Sequence, residues 1–161
     1  MSTGLSQTYL VDTCVWVNIR DEHGDSQEIW DVCFTLIEAD RVKTVRPVYE
    51  ELERRFPDVH ARLKPFRSQL IVPDAIMFHP DAVAEMRAVH AQHPKLYDAL
   101  GTRNPADPFL ISTAKQMNAI VVTDERAAGK AHKTKIPYVC TQRNVGWVDR
   151  LGFFKAAGIK W

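Results

Sequence analysis

An α/β fold, a three-layer sandwich with a mostly parallel central sheet, is what three observations in this chain predict. Short apolar runs such as Tyr9-Leu10-Val11 and Ile120-Val121-Val122 alternate with segments whose apolar residues recur at helical spacing. Prolines and acids stand at the joins between them, at Asp12, Pro47, Asp107-Pro108 and Asp124. No linker, internal repeat or low-complexity tract divides the 161 residues, so a single domain over 1–161 is expected.

The first strand, Tyr9 to Asp12, feeds a helix in which Val15, Trp16 and Ile19 share one side. After the polar break 21–26, with Asp25 or Ser26 as cap, Ile29, Trp30, Cys33, Phe34 and Ile37 form the stripe of a second helix. Val42 to Val45 reads as a brief strand. Pro47, with its fixed φ and missing N–H, starts the helix that carries Glu50 and Glu51 and breaks near Pro57. A basic stretch through His60, Arg62, Lys64 and Arg67 leads to a third strand candidate, Leu70-Ile71-Val72, closed by Pro73.

From Pro80 a further helix places Val83, Met86, Val89 and His90 together, and Gly101 to Pro105 is a loop. Asp107 then reads as an N-cap before Pro108, with Phe109, Leu110, Ile111, Ala114 and Met117 on the buried side. The strand Ala119 to Thr123 ends at Asp124-Glu125. A basic loop, Arg126 to Lys135, precedes a last short strand at Tyr138-Val139-Cys140 and a terminal helix over Val145 to Leu151.

Composition excludes several classes of function. A formal net charge of +1 gives no bulk attraction for nucleic acid, which would need a local basic patch. Cys14, Cys33 and Cys140 are odd in number and form no C-x-x-C pair, which argues against a disulfide framework or a zinc site and fits a reducing, cytoplasmic setting. The six histidines form no ligand pattern, and the tryptophans Trp30, Trp147 and Trp161 read as core or interface residues. Neither a targeting segment nor a membrane span is visible.

The acids carry the chemistry. In parallel sheets ligands bind beyond the carboxyl ends of the strands, which is where Asp12 and Asp124 both fall. Asp107 begins the helix leading into the second of these strands, and Glu51 is delivered by the helix after Val45, with Glu50 turned nearly the opposite way. Such a cluster repels itself unless a proton or a cation intervenes, and carboxylate oxygens suit a hard divalent ion, Mg²⁺ or Mn²⁺. Each acid also has a plainer role. Asp12 and Asp107 are good helix caps, and Glu50–Arg54 and Glu51–Arg55 are ordinary i to i+4 pairs on a solvated helix.

The ordered set Val11-Asp12-Thr13, Val48-Tyr49-Glu50-Glu51-Leu52, Ala106-Asp107-Pro108-Phe109-Leu110-Ile111 and Val121-Val122-Thr123-Asp124-Glu125 resembles a PIN domain, the nuclease fold of many bacterial toxin-antitoxin pairs. It is most similar to a PIN-like branch in which Val-Val-Thr-x-Glu is followed by Lys-Ile-Pro-x-x-Cys, here Lys135 to Cys140. The resemblance implies that Asp12, Glu51, Asp107 and Asp124 form a metal-binding, catalytic acidic cluster, with Glu125 as the alternative to Asp124 and with Thr13 supporting the site through its hydroxyl. It implies an endoribonuclease using Mg²⁺ or Mn²⁺ on an RNA substrate, an antitoxin that inhibits it, and a homodimer. Cys14 departs from the Asn or Ser common at that place.

Two other classes remain open to the sequence. A phosphatase could use Asp12 as nucleophile, but that chemistry places a second Asp two residues on, where Cys14 stands. A non-catalytic PIN-like RNA-binding or regulatory protein would hold RNA without cutting it.

Overall fold

The computed structural model of the chain describes residues 7–24, 26–96, 106–126 and 135–161. Their strands form an all-parallel sheet in the order β2-β1-β3-β4, built from β1 (Tyr9–Val11), β2 (Val42–Lys43), β3 (Ile120–Val122) and β4 (Trp147–Val148). Tyr9 pairs with Val42 on one side and with Ile120 on the other, and Val11 pairs with Val122. All three β1 residues are buried, as expected of a strand covered on both faces. The same register continues one residue past the strands. Asp12 donates its backbone N–H to the Val122 carbonyl at 2.9 Å, so Asp12 and Thr123 leave the sheet side by side.

Helices α1 (Thr13–His23) and α2 (Gln27–Glu38) connect β1 to β2, and α3 (Arg46–Arg55), α4 (Pro57–Leu63) and α5 (Arg67–Leu70) come next in the chain. The chain returns through α6 (Asp74–Met77), α7 (Pro80–Gln92) and α8 (Ala106–Met117) to β3, then through α9 (Ile136–Gln142) to β4 and α10 (Arg150–Ala157). Helices α1 and α2 pack on α3, α4 and α5, whereas α8 packs on α6, α7 and α9. The long connection from β2 to β3 thus begins against α1 and α2 and ends against α9, with α3 and α8 in contact with each other. A continuous apolar cluster joins the layers, with Trp16 and Trp30 stacked at 6.4 Å and Tyr9 edge-on to Phe153 at 5.2 Å.

The α/β sandwich with a parallel sheet is as the sequence predicts, while four elements differ in detail. Tyr138-Val139-Cys140 lies inside α9, not in a strand, because Pro137 occupies the first turn and a three-residue apolar run fits either period. The last strand is Trp147–Val148, within the segment expected to be helical, and α10 begins only after Asp149, whose carboxylate accepts from the Gly152 N–H at 2.7 Å. Leu70-Ile71-Val72 contributes a single parallel bridge between Ile71 and Thr44, since Leu70 belongs to α5. Asp107 stands inside the first turn of α8, which already includes Ala106, and so is not the cap residue.

Ser26 caps α2, accepting from Ile29 N–H at 3.4 Å; the alternative cap Asp25, the loop 101–105 and the basic loop residues 127–134 lie outside the described residues. Trp30 is fully buried, Trp147 is half-buried, and Trp161 is 61 % exposed against Phe154. Among the described residues no helix is long and apolar enough to cross a membrane.

Candidate functional site

Strand order reverses between β1 and β3, and the crevice beyond their carboxyl ends is where doubly wound sheets place ligands. A cleft of about 350 Å³ opens there, lined by Asp12, Glu51, Asp107 and Glu125, with Thr13, Cys14, Val17, Asn18, Arg55 and Phe56 completing its wall. Four separate elements supply the four acids: the end of β1, α3, α8 and the segment after β3.

Asp12 has extended backbone and caps α1. Its Oδ1 accepts from the Thr13 N–H at 2.8 Å, and its Oδ2 accepts from the Cys14 thiol and the Thr123 hydroxyl, each at 3.1 Å. Burial nevertheless dominates. Loss of hydration, with the Glu125 charge added, pushes the Asp12 carboxyl up to about 6 against the three hydrogen bonds that lower it. A carboxylate held this far from water gains from a nearby cation more than an exposed one does.

Glu51 and Asp107 are 5 % and 4 % exposed. Alternation along α3 turns Glu51 toward the cleft beside Leu52 and leaves Glu50 exposed, as the helical spacing requires. Arg55, one turn on, reaches back to Glu51 Oε2 at 3.1 Å and is the i to i+4 partner expected of it. Helices α3 and α8 touch, which brings Glu51 and Asp107 to the same opening.

Asp124 and Glu125 part company. Asp124 does not line the cleft: its Oδ2 accepts from Asn18 Nδ2 at 2.8 Å and from Arg150 at 3.0 Å, and its Oδ1 accepts from the Arg150 N–H at 2.9 Å. The guanidinium of Arg150, itself nearly buried, also pairs with Glu22. Of the two acids the sequence offered, Asp124 is thus the one whose carboxylate is taken up by Arg150 and by Asn18 of the cleft wall. Glu125 faces the cleft, with its N–H on the Thr123 hydroxyl at 3.2 Å and its Oε2 accepting from the Ile136 N–H of α9 at 3.0 Å.

The supporting hydroxyl is also displaced from expectation. Thr13 contributes its backbone N–H to Asp12, while its own hydroxyl is buried with no hydrogen-bond partner. Thr123 does the holding, linking Asp12 to the backbone of Glu125. The signal for Thr123 was its place directly before the paired acids on a strand in register with β1. Cys14 bonds Asp12 and lies 3.8 Å from the Thr123 hydroxyl, and burial together with the Asp12 charge drives its thiol far above the ordinary range, so it is no nucleophile.

Among the described residues no three His, Cys, Asp or Glu side chains are grouped closely enough to grip one ion as placed. The donor set still fits a hard cation in kind. Carboxylates from four elements line one cleft together with Thr13, whose buried hydroxyl is orphaned, and oxygen donors of this sort suit Mg²⁺ or Mn²⁺ and not a softer metal.

Residues 9–161 match the model of a family described as a domain of unknown function, DUF4411. The chain belongs to this family. The matched span runs from the first residue of β1 to the end of the chain, and so contains every acid of the cleft. No curated protein and no solved structure matches the chain.

Proposed function

We propose that this chain is a metal-dependent endoribonuclease of the PIN type, hydrolysing RNA phosphodiester bonds. The observation that carries the reading is the convergence of Asp12, Glu51, Asp107 and Glu125 from four elements on one cleft at the reversal of strand order. Burial of so much like charge has no packing benefit, and a bound cation with a phosphate gives it a use.

A bound Mg²⁺ or Mn²⁺ would supply Lewis acidity toward the phosphodiester and lower the pKa of water. Asp12, Glu51, Asp107 and Glu125 are the residues that would hold it, with Asp124 left to its structural ion pair. The chain's own contribution is preorganisation. Thr13 N–H, Thr123 and Cys14 fix the Asp12 carboxylate before any ligand arrives, and Ile136 N–H fixes one oxygen of Glu125. An inhibitory antitoxin and a homodimer belong to the same reading.

Incubation of labelled RNA with Mn²⁺, Mg²⁺ or EDTA tests it. Internal cleavage is expected only with the metals and is abolished in Asp12→Asn. RNA retained but uncut with either metal would replace the nuclease with a binding module, and a phosphoenzyme trapped on Asp12 would replace it with a phosphatase.

A further inference from the structure

Two consecutive residues of opposite character at the end of α3, Arg55 and Phe56, line the same cleft as the acids. Phe56 is half-buried, and its ring carries two guanidinium groups, Arg20 at 5.6 Å and Arg55 at 5.3 Å from the centroid. The two arginines are held differently. Arg20 bonds Asp21 at 2.8 Å and both oxygens of Asp58 at 3.0 and 3.2 Å, so it is an anchored staple between α1 and α4. Arg55 is 59 % exposed and reaches across one helical turn to Glu51, whose side chain is only 7 % exposed, so its guanidinium is free to turn to another acceptor once a cation held by the cleft's acids takes over the Glu51 charge.

A phosphate is such an acceptor, since its oxygens take the planar guanidinium fork and carry more charge than a shared carboxylate oxygen. Movement of Arg55 toward a phosphate in the cleft would also uncover the part of the Phe56 ring that it now covers. An aromatic face opened beside a phosphate contact is the combination that binds unpaired bases: the cation takes the backbone and the ring takes the base. A base locked in a duplex cannot present its face in this way.

We propose that Arg55 and Phe56 form a single-stranded nucleic-acid subsite on the cleft wall, in which the Arg55 guanidinium leaves Glu51 for a backbone phosphate and the adjoining base stacks on Phe56. The subsite rests on the nuclease reading for the identity of its ligand, but it is read out by binding and not by cleavage.

The test is fluorescence anisotropy with the full chain and a short fluorescein-labelled oligouridylate in Ca²⁺ buffer, over a salt series, with the oligonucleotide checked on a gel for integrity. Phe56→Leu is expected to weaken binding about ten-fold, the order seen when a stacking platform is removed. Arg55→Gln should make the salt dependence shallower by about 0.7 in slope, one phosphate contact on a single strand. Lys155→Gln, which removes one charge from the exposed side of α10, should change neither quantity. Thermal midpoints of the variants identify any that fail to fold, and Phe56→Tyr, which keeps the ring, should retain binding. Equal binding by parent, Phe56→Leu and Arg55→Gln, or an equal loss in Lys155→Gln, overturns the subsite while leaving the nuclease reading intact. Binding that depends on both residues without metal-dependent cleavage removes the nuclease and keeps the subsite. No binding by the parent, or tighter binding to a matched duplex, removes the subsite outright.

Discussion

The Thr123 hydroxyl donates to Asp12 Oδ2 at 3.1 Å, tying the residue after β3 to the residue after β1 across the point where strand order reverses. The same hydroxyl accepts from the Glu125 N–H, so a single side chain orients two of the cleft's acids. Thr123→Val should remove both links, cost about 1–3 kcal/mol for the buried groups left unpaired, and lower RNA cleavage. Thr123→Ser should restore most of both. Urea denaturation read beside cleavage rates checks this, and an unchanged Thr123→Val would mean that Asp12 needs no such support.

Asp12 makes stability depend on pH with a definite sign. In the unfolded chain its carboxyl ionises near 3.8, and in the fold near 6, chiefly because burial strips its hydration. Between those values the native state binds the extra proton, so the stability present below about pH 4 is lost as pH rises through about 6, by up to about 3 kcal/mol. Asp12→Asn should lack this fall and be the more stable protein at pH 7.5. Urea midpoints of parent and variant from pH 4 to pH 7.5 check it; parallel curves would contradict the burial argument.

Asp124 and Glu125 should separate stability from activity. Asp124→Ala leaves the nearly buried Arg150 with only Glu22 and strips the acceptor for its N–H, which should cost about 3 kcal/mol. Glu125→Gln keeps an acceptor for the Ile136 N–H and should leave the thermal midpoint close to the parent's, yet abolish metal-dependent cleavage. Paired thermal melts and cleavage assays on the two variants decide this, and full activity in Glu125→Gln with none in a still-folded Asp124→Ala would return the fourth role to Asp124.

Cys14 should be chemically quiet. Its thiol is pushed upward by burial and by the Asp12 charge, so alkylation by iodoacetamide at pH 8 should be slow in the folded protein and fast once urea unfolds it. Rapid native labelling of Cys14, detected by mass spectrometry, would place a thiolate in the cleft and contradict the upward push of burial and the Asp12 charge.

Much of this arrangement was legible in the residues because it depends on period and position. Asp12 stands one residue past an apolar run, and Glu51 is separated from Glu50 by one helical step, so facing is a matter of geometry. Asp124 and Glu125 are a different case. Both come directly after a three-residue strand and its threonine, and what turns one away is Arg150, a residue 26 positions later that declares nothing in the local pattern. The segments around Cys140 and Trp147 exchanged their expected states for a related reason. Short apolar runs suit either period, and Pro137 and the Asp149 cap decide the outcome. Thr123 carries no mark of its role in the local sequence, since a threonine at the end of a strand is common, and only the in-register pairing of Val11 with Val122 sets its hydroxyl against Asp12.

The most direct measurement is anomalous diffraction from a crystal soaked in Mn²⁺ at a concentration that supports RNA cleavage. The expected result is a manganese peak in the cleft, within bonding distance of Asp12 and of at least one of Glu51, Asp107 and Glu125, with Asp124 still paired to Arg150. A cleft without a peak, or an ion held by Asp124 and not by the cleft's acids, would contradict the metal-centred account.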